Sequence, residues 1–324
     1  MSEIRQIIQH HWALSETITP AYGAIVMGSG IVASGLYLNG KIVLSLIVLV
    51  FACIAWVTLA SLFCYRWIKQ RERIKHEAIN PPALTGVAGT AVLGTNFVNY
   101  KWLPVGIFLL ILALLLWLYV LPKVLKNLKR RTVGVSFLLT VSTEALANLF
   151  AALYIALRIE VLLYFSILLF VLGLIFYVRV IIHFDFHEIF HGHGDHWVIG
   201  GALAISSLTI GKITLAISQT VNFSSALEFF KIFAVFMWAI TMFWLPILLF
   251  AEIWNIRIEY DIRRWSTVFP LGMYAASSFS VGKDVLNVPM ILQFAHYWVY
   301  VGLFAWCVGM IVMLKHDWLI LYEG

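Results

Sequence analysis

The chain has 324 residues, of which 62% are hydrophobic and only 12% charged, with a formal net charge of +6; its mean hydropathy is +0.93. Soluble globular domains carry about a quarter of their residues as Asp, Glu, Lys or Arg, so this balance excludes them and points to a polytopic membrane protein. The positive charge needs no nucleic-acid partner, because in membrane proteins it marks orientation.

Residues 1–18 read as a short cytoplasmic segment without a small-residue cleavage site, so no removable signal peptide is predicted and the first span directs insertion. Apolar segments then centre near residues 28, 52, 91, 112, 142, 170, 207, 240, 275 and 302. Each is long enough for the roughly 20 residues that a bilayer requires. The predicted fold is an all-α polytopic membrane protein, ten transmembrane helices in a single domain over residues 1–324. The links at Asn39–Lys41, Asn99–Trp102 and Leu157–Glu160 are so tight that consecutive spans pair as five hairpins. Of the 22 basic residues, only Lys41, Lys101, Arg158, Lys212, Lys231 and Lys283 fall on the far side in this arrangement. Basic residues accumulate on the cytoplasmic side, so both termini and a His-rich loop at 183–196 are placed in the cytoplasm of a multi-pass cell-membrane protein. Cys53, Cys64 and Cys307 form no CxxC motif and no disulfide framework, and read as small core residues.

In 20-residue windows over the spans, Gly, Ala, Ser and Thr number nine or ten in every odd span and six or fewer in every even one. Small residues let backbones approach closely, whereas bulky aliphatics suit lipid contact. The odd spans are therefore expected to form an inner ring around a central pore, with the hairpin repeat gathering a transport path at its axis. Breaks are expected at mid-depth in Gly28-Ser29-Gly30, Gly89-Thr90, Thr140 to Thr143, Ser206-Ser207 and Pro270. The pore-lining candidates are accordingly Gly28, Gly30, Gly89, Thr90, Ser142, Glu144, Ser206, Ser207 and Gly272. Helix packing explains the same glycines, and the two roles are compatible; the Gly-rich runs are too short and too deep to be phosphate loops. Pro270 has no amide hydrogen, so the carbonyl near Ser266 loses its helical partner, which in hydrocarbon costs several kcal/mol. The span is expected to bend there and to face protein or water. Phe269, immediately before it, is read either as a pore gate or as ordinary core.

Four stretches carry a resemblance. Val26-Met-Gly-Ser-Gly-Ile-Val32, Gly89-Thr-Ala-Val-Leu-Gly94, Trp197 to Ser206 and, most specifically, Val268-Phe-Pro-Leu-Gly-Met-Tyr274 resemble the tellurite-resistance/dicarboxylate transporter family, related to the plant guard-cell slow anion channels. The likeness covers essentially the whole chain. It implies five hairpins around a pore, a homotrimer, and a phenylalanine, here Phe269 beside Pro270, closing each pore. Members are associated with malate and other C4-dicarboxylates, with inorganic anions or with tellurite resistance. The implied partners are thus a small anionic substrate and the lipid bilayer, with C4-dicarboxylates such as malate first and a chloride or nitrate channel or tellurite resistance as the alternative. Glu144 departs from the neutral polar residue that the family pattern implies, and a fixed negative charge there opposes plain anion conduction.

Glu144 is also the one ionisable residue read at the centre of a span. Burying a carboxylate there costs several kcal/mol unless it is paired, hydrated or protonated. A transport or proton-linked role stands beside that of a neutral acid tying helices together. His183, His187, His191, His193 and His196, with Asp185, Glu188 and Asp195, lie in the 183–196 link. The first three would share a helical face suited to a transition metal or a pH sensor, but nothing fixes their geometry, so a solvated loop and no metal are expected. No histidine stands at mid-span to hold haem, and no span carries a central Asp or His for proteolysis, so neither a cofactor nor an enzyme is expected, a membrane redox enzyme being the remaining alternative. Selectivity is expected from a basic cytoplasmic mouth and from helix-break dipoles, since no basic residue is read at a span centre.

Overall fold

The computed structural model describes residues 18–191, 194–220, 224–255 and 261–323. Most of the expected N-terminal segment 1–18, and His193 in the His-rich link, lie outside the described residues. The long elements are all helices: α1 (Gly23–Leu38), α2 (Ile42–Lys69), α3 (Leu84–Asn99), α4 (Leu103–Lys126), α5 (Leu138–Leu157), α6 (Glu160–Ile182), α7 (Trp197–Ile217), α8 (Leu227–Trp254), α9 (Trp265–Ser280) and α10 (Pro289–Glu323). Shorter helices at Arg71–Glu77 and Glu188–His191 lie in the links. After α1, α3, α5 and α9 the chain reverses through a left-handed residue: Gly40 (φ 73), Lys101 (φ 64), Arg158 (φ 60) and Asn287 (φ 53). One such residue ends a helix and redirects the chain within two or three positions.

The alternation of small and bulky helices in the sequence is an alternation of depth in the structure. The most apolar stretches of α5 and α7 are 94% buried and that of α1 is 78% buried, against 22% to 39% for α2, α4, α6, α8 and α10. All but three residues of α3 and of α9 are buried as well. α1 packs on α3, α3 on α5, α5 on α7, α7 on α9, and α9 returns to α1, so the five odd helices close a ring. Each even helix lies outside, against the odd helix before it in the chain. Among the described residues eight helices are long and apolar enough to cross a membrane; α3 and α9, of 16 residues each, are too short to be among them.

Tryptophans tie the layers together. Trp56 on α2 donates to Thr90 on α3 (2.9 Å), Trp117 on α4 to Thr143 on α5 (3.0 Å), Trp238 on α8 to Ser278 on α9 (2.9 Å), and Trp306 on α10 to Ser29 on α1 (2.8 Å). Four of the five outer helices, all but α6, thus bond to the inner helix that follows their own partner around the ring. Interhelical bonds of this kind contribute about 0.6 to 2 kcal/mol each where no water competes.

Two expectations are corrected. α1, α3, α5, α7 and α9 run without interruption through Gly28-Ser29-Gly30, Gly89-Thr90, Ser142, Ser206-Ser207 and Pro270. Glycine and serine keep their own helical bonds, and a proline six residues into a helix removes only one, so no break dipoles arise at mid-depth. Cys64 and Cys307 are exposed on outer helices and Cys53 is half-buried, because a thiol is apolar enough for a lipid-facing surface.

Candidate permeation path

Inside the ring lies a narrow vestibule whose free space is about 10 Å³, close to that of a single water molecule. Its walls come from four inner helices: Ile31, Ser34 and Leu38 of α1, Val92, Thr95 and Asn99 of α3, Asn148 of α5, and Ile205, Leu208 and Lys212 of α7. Leu38 and Asn99 sit at the tight-turn ends of their helices, so the vestibule opens toward that end. Residues four, three and four apart share one face of a helix, which puts Gly201 in line with Ile205, Leu208 and Lys212. A side chain at Gly201 would meet the Pro270 ring at 2.7 Å and Cε1 of Phe269 at 3.3 Å. The face of α7 that lines the vestibule therefore continues directly onto the fully buried ring of Phe269. From Gly201 to Lys212 the rise is about 16 Å at 1.5 Å per residue.

The remaining site candidates occupy helix contacts. A side chain on Gly28 would touch Trp265 of α9, one on Gly30 would strike Val92 of α3, one on Gly89 would press Val26 of α1, and one on Gly272 would strike Ile31 of α1. The Thr90 hydroxyl receives Trp56, and Ser142 and Ser206 donate to the carbonyls of Leu139 and Ala202 on their own helices. Ser207 is fully buried with no hydrogen-bond partner for its hydroxyl. None of these residues is among those lining the vestibule. Thr95, Asn99, Asn148 and Lys212 do line it, and the sequence reading passed over all four. The spacing of Gly201, Ile205, Leu208 and Lys212 is the signal that could have found the last of them.

Glu144 is fully buried, and its carboxyl group fills the space in front of Gly173 on the outer helix α6, where an added side chain would lie 2.6 Å from Oε1. Ser206 and Thr209 of α7 are its polar neighbours. Both hydroxyls also donate to carbonyls of their own helix, Ser206 to Ala202 (2.9 Å) and Thr209 to Ile205 (2.8 Å), and neither carboxyl oxygen is within good hydrogen-bond geometry of a donor.

The His-rich link is pinned rather than loose. Thr132 bonds to both sides of Phe184 through the His183 carbonyl and the Asp185 amide, each at 3.0 Å, and Arg131 pairs with Asp185 at 2.7 Å. Although partial burial works the other way, the Arg131 bond and charge and the His187 amide hold the Asp185 carboxyl below its ordinary value. His187 and His191 stack with ring centroids 3.9 Å apart, both exposed. His196, at the foot of α7, is fully buried 4.0 Å from Glu252, which also accepts from Trp197 (3.0 Å) and Arg264 (3.1 Å). Among the described residues no three acidic, histidine or cysteine side chains converge as metal ligands.

A family model described as a voltage-dependent anion channel matches residues 17–314, nearly the whole chain. The chain belongs to the voltage-dependent anion channel family. Uncharacterized membrane proteins of Mycobacterium tuberculosis, strains CDC 1551 and H37Rv, are each 29% identical to it over 127 residues. The match takes in 37% of this chain and 63% of each relative, so the chain spans less than two thirds of their length. This family agrees with the resemblance to the tellurite-resistance/dicarboxylate transporters and the slow anion channels read from the sequence. The small-residue ring helices, the axial vestibule and Phe269 all fall inside the matched region.

Proposed function

We propose that the protein carries small anions across the cell membrane along the axis of its inner ring, and that Phe269, backed by Pro270, closes that path. One observation carries this reading: the vestibule-lining face of α7 runs without interruption to the Phe269 ring. In this reading all ten long helices span the bilayer as five hairpins, three protomers assemble, and each keeps its own path. C4-dicarboxylates such as malate are the first substrate class. The narrow vestibule favours a second reading, conduction of chloride or nitrate, because a compact anion sheds less water on entering it. The pore-lining roles of Gly28, Gly30, Gly89, Thr90, Ser142, Ser206, Ser207 and Gly272 are then indirect, through the close helix contacts that set the width of the ring.

Uptake by proteoliposomes, measured for malate, chloride and nitrate with and without an imposed pH gradient, tests the reading; protein that moves none of the three sinks it. In the same assay Glu144→Gln is expected to abolish pH-driven uptake and leave exchange of labelled substrate intact, because the amide keeps the shape but carries no exchangeable proton charge. An unchanged pH dependence would leave Glu144 only its packing role.

Orientation is checked separately. With both termini in the cytoplasm, reporters fused after Gly324 and near Lys283 should read opposite sides of the membrane. Readings from the same side would overturn the ten-span arrangement.

A further inference from the structure

We infer that Lys212 and Asn148 form an anion-coordinating site in the axial vestibule, which receives one compact anionic group, a carboxylate or an inorganic anion such as chloride or nitrate, ahead of Phe269. The inference rests on the axis being the transport path, and it adds a charged station that the sequence reading counted only among the far-side basic residues. Lys212 belongs to α7 itself, five residues before its end, and is only 9% exposed. Lysine almost never reaches such burial without a partner. Here its side chain lines the vestibule, and among the described residues no carboxylate stands within 4.0 Å of its ammonium group.

The lining of the vestibule itself offers donors and no carboxylate. Asn148 is 4% exposed and lines the same space; its amide nitrogen reaches Thr95 at 3.4 Å, while its oxygen has no partner. An amide nitrogen has two hydrogens, so one remains for a ligand. Asn99 stands at the mouth beside them. Ile31, Val92, Ile205 and Leu208 complete the walls and leave no second cation, so only one charged group is held at a time.

Asp284 completes the arrangement. It follows α9 in the turn Val281–Val285, accepts from Ser280 at 3.2 Å, and is packed beside α7 because Ser280 lies against Gly211. From there it acts on Lys212 electrostatically without a direct ion pair. A carboxylate at that remove balances the lysine when the site is empty and competes with an incoming anion.

Anion-dependent thermal unfolding of the full-length protein in detergent tests the site without requiring transport. The probes are sodium chloride, sodium nitrate and sodium malate, each titrated at constant ionic strength against gluconate. The parent should show a saturable rise in Tm with at least one probe. Lys212→Gln should move the midpoint up about tenfold and Lys212→Arg should largely restore it, as expected for loss and return of one charge contact. Asp284→Asn should move the midpoint down about threefold, the opposite direction, because it removes the competitor. A merely structural lysine would not yield opposite signs at these two positions. The malate arm against the chloride and nitrate arms identifies the source of the anionic group. In a Phe269→Ala background, Lys212→Gln should also lower the ratio of anion to sodium permeability about tenfold. Midpoints and ratios indifferent to Lys212 in conducting protein would overturn the site alone. Saturable, Lys212-dependent Tm shifts in a protein that conducts nothing would instead overturn the transport reading.

Discussion

Phe269→Ala is expected to raise anion flux through reconstituted protein by about tenfold or more while the protein stays folded, because it removes an apolar ring from a water-excluding constriction. The ring is fully buried, and it stands where the vestibule face of α7 arrives at Gly201. Glycine contributes nothing that could replace the ring, and Pro270 is held in place by its own helix. An ion entering a dry constriction loses hydration that no side chain there returns, so even a short apolar block dominates the barrier. Were Phe269 ordinary core, truncation would leave a cavity costing about 3 to 5 kcal/mol, with flux lowered or unchanged. The two outcomes have opposite signs in efflux measured on matched amounts of folded protein. A variant that melts earlier and conducts no better than the parent would refute the gate.

Gly134→Ala should destabilise the fold by about 3 kcal/mol, the upper end of overpacking costs, read as a lower Tm and a smaller monodisperse fraction in detergent. A methyl group on Gly134 would run into the carbonyl group of Asp195 and lie 2.7 Å from the backbone nitrogen of His196. These are main-chain atoms, so no rotamer change relieves the clash. The Gly134 amide also donates to Glu188 at 2.9 Å, which joins the approach to α5 to the His-rich link at the foot of α7. Gly86→Ala is the matched control. Nothing lies within 4 Å of the added atom there, and alanine in an exposed helical position is favoured over glycine by up to about 1 kcal/mol. Equal Tm changes in the two variants would show that Gly134 is not a close contact.

Much of the architecture was legible in residue size alone. Glycine, alanine, serine and threonine cluster in α1, α3, α5, α7 and α9 because those helices meet one another on several sides. Leucine, isoleucine and phenylalanine fill the outer helices because one face of each meets no protein. Content per helix says which helices are inner; it does not say how each is rotated about its own axis. Gly89 and Thr95 lie on the same helix, yet one presses on Val26 and the other lines the vestibule. The glycines drew attention as breaks, whereas their job is to let helices cross closely. Lys212 was hidden by a different cause. Its nearness to the end of an apolar run made it count only as an orientation signal, and the closed ring shows that its side chain turns inward. Glu144 was visible as an isolated charge, but its relation to Gly173 on α6 depends on packing between helices.

The tryptophan pattern has a consequence for how the protein comes into being. Trp306 meets Ser29 across 277 residues of chain, and α9 closes onto α1 beside that bond. While the ribosome is still feeding earlier helices into the bilayer, the nascent ring is a horseshoe whose open seam exposes the small-residue faces of α1 and of whichever inner helix came last. Arrival of the final hairpin zips the seam shut, so the ring closes in a single late event.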